Sequence, residues 1–267
     1  MAKMRKGAGQ TALITGGSGG IGLELARCFA KDGYNLVLVA RSADALVGHA
    51  AALATEFSIK CEAMSLDLSR VGVGAELVKT LDARNLAIDV LVNNAGYGTS
   101  GAFAESELAN QLAMMDLNMR TLVELTGLLL PRMIKARRGG IINVGSTGSF
   151  QPVPLEAVYC ASKAFVLSFS EAVWDETRGT GVTVTCLCPG PTATGFAVRA
   201  GVTTTPMFRN GDAMAARRVA EIGYRAFCRR KRLKVAGLAN ALNATSSRFA
   251  PRGMVLKIAR RIVSPRP

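Results

Sequence analysis

Two side chains with complementary acid–base chemistry, Tyr159 and Lys163, stand four residues apart in the segment 159–163 (YCASK). On a helix this spacing places both on one face, within reach of one substrate. A free tyrosine has a pKa of about 10, too high for proton exchange near neutrality, and a nearby ammonium lowers it. The pair therefore predicts that Tyr159 is a general acid in reduction and a general base in oxidation. Because this spacing is also common by chance, the surrounding elements must decide.

A glycine-rich segment, residues 15–22 (TGGSGGIG), lies between the first predicted strand and the first predicted helix. Glycines permit a tight turn and let backbone amides approach a pyrophosphate, and the N-terminus of the following helix adds partial positive charge. In this position the segment favours a dinucleotide site over a purely structural turn.

The end of the second predicted strand indicates which dinucleotide fits. An acid there usually holds the ribose 2′-hydroxyl of NAD, but residues 39–42 (VARS) contain no carboxylate. Arg41 offers a fork of donors suited to a 2′-phosphate, with a solvated surface arginine as the alternative. The sequence thus predicts that NADP(H) is preferred, with NAD(H) left open.

The hydrophobic pattern alternates between strands and helices. Continuous apolar runs indicate strands buried on both faces, and helices between them indicate parallel pairing. Strands are predicted at 11–15, 35–40, 61–65, 88–92, 140–144, 182–187 and 233–237, and helices include 20–31, 43–57 and 107–135. We expect one α/β domain over residues 1–267: a doubly wound, Rossmann-type parallel sheet of about seven strands with helices on both faces and a C-terminal helical extension.

Composition excludes several function classes. His49 is the single histidine and none of the six cysteines forms a CxxC pair, so neither a zinc site nor a Ser-His-Asp hydrolase is expected. Free thiols favour a reducing cytoplasm. No apolar run of about 18 residues occurs, so no transmembrane helix is expected.

Taken together, the motifs resemble the short-chain dehydrogenase/reductase family over about residues 10–195. The resemblance rests on the glycine segment 15–22, Asp67-Leu68, the segment 93–96 (NNAG), Asn118, Ser146 thirteen residues before Tyr159, Lys163, and Pro189-Gly190 with Thr194, all in family order. It implies hydride transfer between a nicotinamide cofactor and a carbonyl or secondary alcohol. A catalytically idle dinucleotide-binding sensor or scaffold is the alternative, although such a protein would be expected to have lost Tyr159, Lys163 or Ser146.

The resemblance also implies roles for individual residues. Tyr159 is similar to the acid/base, Ser146 to the hydroxyl that hydrogen-bonds the substrate oxygen, Lys163 to the residue that tunes the tyrosine, and Asn118 to the residue that holds a relay water. The implied cofactor contacts are Gly16, Ser18, Gly20, Ile21, Gly22, Arg41, Ser42, Asp67, Leu68, Asn94, Ala95, Gly96, Tyr159, Lys163, Pro189, Gly190, Thr192 and Thr194. One departure is Gly19, where members that prefer NADP often carry a basic residue, so Arg41 must supply most of the discrimination.

Residues 195–230 correspond to the family's variable substrate-loop region. Apolar side chains there predict a lining or lid for a hydrophobic ketone, aldehyde or 3-oxoacyl chain, although ordinary loop packing is an equal alternative; they are Phe196, Val198, Val202, Met207 and Phe208. The segment 238–267 resembles, more loosely, the C-terminal extension of long-chain 3-oxoacyl reductases. The long helices at 107–135 and 157–178 resemble those of the family's four-helix interface, which implies a homodimer or homotetramer.

Positive charge is concentrated in residues 217–267, where fourteen basic residues face a single acid, Glu221. Nucleic acid is not expected as a partner, because no recognition motif accompanies the charge. A helix is predicted with Val255, Ile258, Ala259 and Ile262 on one face and Lys257, Arg260 and Arg261 opposite. This segment is expected to cover the substrate pocket and to rest on an anionic membrane surface; the alternative is a helix that packs on its own domain with its basic face in water.

Overall fold

A seven-stranded parallel sheet forms the centre of the protein, seen in a computed structural model that describes residues 6–203, 205–206, 213–247 and 249–264. Its strands, in chain order, are β1 (Thr11–Thr15), β2 (Asn35–Ala40), β3 (Cys61–Ser65), β4 (Val90–Asn93), β5 (Gly140–Val144), β6 (Thr183–Cys188) and β9 (Leu233–Val235). A separate two-stranded parallel ladder joins β7 (Thr192–Ala193) to β8 (Met214–Ala215). The sheet order β3-β2-β1-β4-β5-β6-β9 reverses direction between β1 and β4, which is where such folds open a binding crevice.

Helices connect the strands and cover both faces of the sheet. They are α1 (Gly20–Lys31), α2 (Ala43–Phe57), α3 (Val73–Ala83), α4 (Leu108–Met115), α5 (Thr121–Lys135), α6 (Ala157–Glu176), α7 (Phe196–Ala200), α8 (Ala216–Cys228), α9 (Leu238–Ser246) and α10 (Arg252–Val263). One core cluster packs α1, α2 and α8 on one face of the sheet, with Phe29 and Phe227 in edge contact. The other packs α3, α5 and α6 on the opposite face, around Leu77 and Leu125.

The predicted fold class is confirmed, with small shifts of boundaries. The first three strands and first two helices lie at the predicted residues, whereas β4 begins two residues later than predicted and β6 one residue later. The predicted helix over 107–135 is interrupted: a π-helical turn, Asp116–Arg120, separates α4 from α5. Helix α3 was not among the predicted elements, although Val73, Leu77, Val78 and Leu81 follow helical spacing and are buried.

Helix α10 differs from its predicted face. Val255 and Ala259 are buried as expected, together with Val263, but Ile258 is 53% exposed and Ile262 is also exposed. The apolar arc of this helix is wider than the surface it contacts, so one part packs on the domain and the other faces solvent. In the described residues, no helix is both long and apolar enough to cross a bilayer.

Candidate active site

The glycine turn after β1 is tightly built around Asn94. The side-chain nitrogen of Asn94 (Nδ2) donates to the carbonyl oxygens of Thr15 (2.9 Å) and Gly16 (3.2 Å). Gly16 has a φ of +68°, and a Cβ there would lie 2.6 Å from that nitrogen; a Cβ on Gly22 would lie 2.3 Å from the Gly16 oxygen. Both positions therefore require glycine. The turn brings the open N-terminus of α1 to the crevice, which suits a pyrophosphate.

Thr15 connects the ends of two neighbouring strands. Its hydroxyl donates to the Val92 carbonyl (3.1 Å) and accepts from the amides of Asn94 and Ala95 (3.0 Å each). This buried hydroxyl fixes the loop after β4 against the glycine turn. Its role was not anticipated from the sequence, although a threonine at the end of an apolar strand was the available signal.

Arg41 lies exposed at the other end of the crevice, directly after β2. Its carbonyl oxygen accepts from the Ser65 hydroxyl at 3.0 Å, which ties the ends of β2 and β3 together. Asp67 accepts from the amide and hydroxyl of Ser69, and these bonds, with a smaller contribution from Arg41, hold the pKa of its carboxyl below the usual range. A cation beside a pre-oriented carboxylate gives this end of the cavity both hydrogen-bond donors and acceptors.

Tyr159 and Lys163 lie on the first turns of α6, one turn apart. The Lys163 ammonium donates to the Val144 carbonyl (2.9 Å) and lies 5.9 Å from the centre of the Tyr159 ring. The expected lowering of the tyrosine pKa does not appear in this structure: burial raises the pKa of Tyr159, and its hydrogen bond with Ser146 only partly offsets that effect. Burial also lowers the pKa of Lys163 to about 8. For both groups, desolvation is the largest cause of the shift in pKa.

Ser146 is fixed by the short helix that follows β5. Its hydroxyl accepts from the Gly148 amide (3.0 Å), and its own amide donates to the Ser149 hydroxyl (3.1 Å). Ser149 in turn donates to the Lys163 carbonyl at 2.7 Å. This bond ties the loop that carries Ser146 to the helix that carries Tyr159. The Ser146 and Tyr159 hydroxyls are therefore held side by side.

Asn118 sits in the π-helical turn. Its amide nitrogen donates to the Tyr97 carbonyl and the Ser162 hydroxyl (3.0 Å each), and its oxygen accepts from the Tyr97 amide at 3.2 Å. A Cβ on Gly96 would lie 2.8 Å from that oxygen and 3.3 Å from Lys163 Nζ, so the two polar groups converge on Gly96. A π turn inserts a residue into a helix and is frequent at functional sites.

A cavity of about 530 Å³ joins these parts. Most of the predicted site residues line it: Gly16, Ser18, Gly20, Ile21, Arg41, Ser42, Asp67, Leu68, Asn94, Ala95, Gly96, Ser146, Tyr159, Lys163, Pro189, Gly190, Thr192 and Thr194. Two do not line it: Gly22 packs against the turn, and Asn118 lies behind Gly96. Gly19, the departure noted above, faces open space.

The substrate end of the cavity is partly apolar. The Phe196 ring lies 5.4 Å from the Tyr159 ring, and Val202 also lines the wall, whereas Val198 is exposed and does not. Met207 and Phe208 lie outside the described residues. The sequence did not single out the polar lining residues Gln151, Glu156 and Arg199; the position of Glu156, three residues before Tyr159 on the same helix end, was the available signal.

Comparison with known proteins decides the family. The short chain dehydrogenase family matches residues 10–204. The chain belongs to the short chain dehydrogenase family. Its members are oxidoreductases that bind nicotinamide cofactors, and the cavity described above provides what such a cofactor requires: a glycine turn at a helix N-terminus and a polar wall along the strand ends.

Several family members are similar over most of this chain. Ketoacyl reductase HetN from Nostoc sp. is 36% identical over 182 residues, covering 68% of this chain and 63% of that protein. The very-long-chain 3-oxoacyl-CoA reductase of Bos taurus is 33% identical over 193 residues, covering 71% of this chain and 61% of that protein. This chain thus spans less than two thirds of the length of these curated relatives.

A solved family member supports the fold and the cofactor class. The short-chain dehydrogenase from Sphingobium yanoikuyae, in complex with NADPH, superposes with a TM-score of 0.81 at 33% identity. The match covers 92% of this chain and 94% of that one, so it extends beyond the family match into the C-terminal segment.

Proposed function

We propose that this short chain dehydrogenase is an NADPH-dependent reductase of a carbonyl on a hydrophobic substrate, with a 3-oxoacyl chain as the leading candidate. The observation that carries the proposal is the pair of hydroxyls, Ser146 and Tyr159, fixed beside Lys163 and next to the Phe196 ring. Two similar proteins are named ketoacyl and 3-oxoacyl-CoA reductases, and one similar structure holds NADPH.

The residues of the chain divide the work of reduction between them. The bound nicotinamide supplies a hydride to the carbonyl carbon. Tyr159, whose phenol is hydrogen-bonded to Ser146, donates its proton to the carbonyl oxygen as the hydride arrives at the carbon. Ser146 donates a hydrogen bond to the same oxygen as negative charge develops there. Lys163 carries its charge beneath the tyrosine and within reach of the cofactor ribose.

Specificity for NADPH is proposed to rest on Arg41. Residues 39–42 hold no carboxylate, and Arg41 is exposed on the cavity wall directly after β2, which supports its assignment as the 2′-phosphate contact. Phe196 and Val202 give the substrate end an apolar wall suited to an acyl or alkyl chain. The polar groups there, Glu156 and Arg199, select against substrates that leave them unpaired.

The proposal is tested by incubating the purified protein with NADPH and a panel of carbonyl compounds: 3-oxoacyl thioesters of increasing chain length, steroid ketones and small ketones. We expect NADPH oxidation that is fastest with the longer 3-oxoacyl thioesters and is lost in Tyr159→Phe. Tight NADPH binding with no turnover of any carbonyl would favour the sensor or scaffold instead.

Self-association is also proposed, because apolar side chains remain exposed on the helices expected to form an interface. Leu108, Leu112 and Met115 form a stripe on α4 at helical spacing, and Phe165 is exposed on α6, stacked on Phe169. We propose a homodimer or homotetramer that buries these side chains. Light scattering should give a multiple of the 28.1 kDa chain mass, and Leu112→Gln should lower the measured mass.

The proposed compartment is the cytoplasm, which suits six free cysteines.

A further inference from the structure

Helix α10 presents two apolar surfaces, of which the domain covers one. Val255, Ala259 and Val263 are buried, and Ala259 and Val263 pack against Val153 and Cys160 beside Tyr159. Met254, Ile258 and Ile262, spaced four residues apart, form a second row along the helix and remain exposed. Exposing such a row to water is unfavourable, so a partner that covers it lowers the free energy by burying apolar surface.

The preceding helix and the connection to α10 add further exposed apolar side chains. Leu238 and Leu242 stand one turn apart on α9 and are 79% and 63% exposed, and Phe249, in the connection to α10, is 84% exposed. Helix α9 is fastened to the loop after β5 by the Ser247 hydroxyl, which donates to the Phe150 carbonyl at 3.3 Å. Both helices therefore flank the segment that leads from Ser146 to Tyr159.

The charge on these helices has one sign. No acidic residue follows Glu221 in the sequence. Lys257 and Arg261 lie next to the exposed row of α10, with Arg260 and Arg252 on the same helix. Within the described part of the chain, none of these four cations forms an ion pair, whereas Arg232 pairs with Glu171 at 3.2 Å. The cations beside the apolar row are thus available for an external anion.

We propose that α9 and α10 form a docking face for an anionic lipid bilayer. A bilayer is the partner whose chemistry matches both observations, because its acyl region takes up Ile258, Met254 and Phe249 while its acidic headgroups pair with Lys257 and Arg261. A nucleic acid would use the cations but leave the aliphatic row in water.

The position of this face next to the catalytic centre suggests how substrate arrives. The buried side of α10 contacts residues flanking Tyr159, so docking brings the catalytic cavity close to the bilayer. On the proposed function, the natural substrate is then a membrane-soluble ketone or long-chain 3-oxoacyl compound taken up at the lipid surface.

Vesicle binding tests the face directly. The full-length protein is sedimented with vesicles of phosphatidylcholine alone and with vesicles containing phosphatidylglycerol, at low and high salt. We expect binding to the anionic vesicles that weakens with salt, and little binding to the neutral ones. Ile258→Gln and the double variant Lys257→Gln/Arg261→Gln should each weaken binding about tenfold or more. The matched controls, Val47→Gln and Lys79→Gln on α2 and α3, should bind like the wild type.

Several outcomes would overturn the face. The first is that the protein does not sediment with anionic vesicles at low salt. The second is that the control variants lose as much vesicle binding as the variants of α10. The third is full vesicle binding by Ile258→Gln, which would show that charge alone acts. A lowered oligomeric mass in Ile258→Gln with unchanged vesicle binding would show that a second copy covers the row. A further outcome is an acidic protein that the wild type pulls down and that competes with vesicles. If it also bound Ile258→Gln fully, the cations of α10 would be assigned to that protein.

Kinetics separate this inference from the proposed function. With a long-chain ketone held in vesicles, Ile258→Gln should raise KM about tenfold while turnover of a short soluble ketone stays at the wild-type value. Equal KM values would overturn delivery from the bilayer and leave the reductase intact. Vesicle binding without reduction of any carbonyl would overturn the proposed function and leave the docking face intact.

Discussion

The catalytic cavity and the C-terminal helices satisfy their polar and apolar groups in opposite ways. In the cavity, polar side chains are buried and paired, and among the described residues every buried side-chain nitrogen or oxygen has a hydrogen-bond partner. On α9 and α10, apolar side chains are exposed and the four cations of α10 lack acidic partners. The buried polar groups of the first region are paired within the chain, whereas the apolar row and the cations of the second remain exposed in the part of the chain that the structure describes.

This difference separates two kinds of functional residue. Lys163 and Asn118 are held by the interior, so replacing them disturbs both chemistry and packing. Ile258 and Lys257 contribute little to folding, because water already surrounds them. The comparison therefore predicts large effects on turnover or stability at the cavity and effects confined to binding at the helices.

The largest effect is expected from Tyr159→Phe, which removes the transferable proton and leaves the ring in place. Proton transfer by a positioned side chain contributes about 10²- to 10⁴-fold, so kcat should fall by that factor while NADPH still binds. Turnover of the identified substrate and NADPH fluorescence titration check the two parts. Tyr34→Phe, a buried tyrosine far from the cavity, is the matched control. Wild-type turnover in Tyr159→Phe would make the assigned mechanism wrong.

Burial of the Lys163 ammonium should make the free energy of unfolding depend on pH. Its folded pKa is about 8, below the ordinary 10.5, so between these values the unfolded chain holds the proton more tightly and the contribution of Lys163 to stability rises with pH. Below pH 8 the charged form is fully penalised, by about 3 kcal/mol for a shift of this size. Lys163→Met removes this pH dependence, so its free energy of unfolding relative to that of the wild type should fall by up to about 3 kcal/mol as pH rises from 8 to 10.5.

Urea unfolding at pH 7 and pH 9.5 measures that difference, and subtracting the wild-type value cancels the contributions of ionisable groups that the two proteins share. Lys60→Met, at an exposed lysine away from the cavity, is the control for replacing an ammonium group with a methionine side chain. If the difference in free energy of unfolding between Lys163→Met and the wild type stays constant with pH, burial does not destabilise the charged ammonium.

Which features were accessible from sequence follows from the same comparison. Continuous apolar runs alternating with helical segments indicated the parallel sheet, because strands buried on both faces have that composition, and a spacing of four residues placed Tyr159 and Lys163 on one face of α6. The π turn at Asn118 was not accessible, because a single inserted residue hardly changes the hydrophobic period. The exposure of Ile258 was missed for a different reason: periodicity gives the apolar arc of a helix but not the width of the surface it meets.

The proposed preference for NADPH tests the edge of the cavity, where Arg41 is exposed, like the apolar row on α10. Arg41→Ala should weaken NADPH binding by about 10- to 100-fold, nearer the lower value because water screens an exposed cation, and should leave NADH binding almost unchanged. Titration with both cofactors measures this, and NADH is the internal control. An equal loss for both would mean that Arg41 does not contact the 2′-phosphate.

The smallest effects concern two neighbouring residues of α10 that face opposite ways. Ala259 is buried against Val153 and Cys160, so Ala259→Gln forces a larger polar side chain into that contact and should lower the free energy of unfolding by about 1–3 kcal/mol. Ile258 is half exposed, so Ile258→Gln should change it by less than about 0.5 kcal/mol. Urea unfolding of both variants, without lipid, gives the comparison. Equal destabilisation would mean that the Ile258 row is already covered within the protein, and a bilayer would then have no apolar surface to bind.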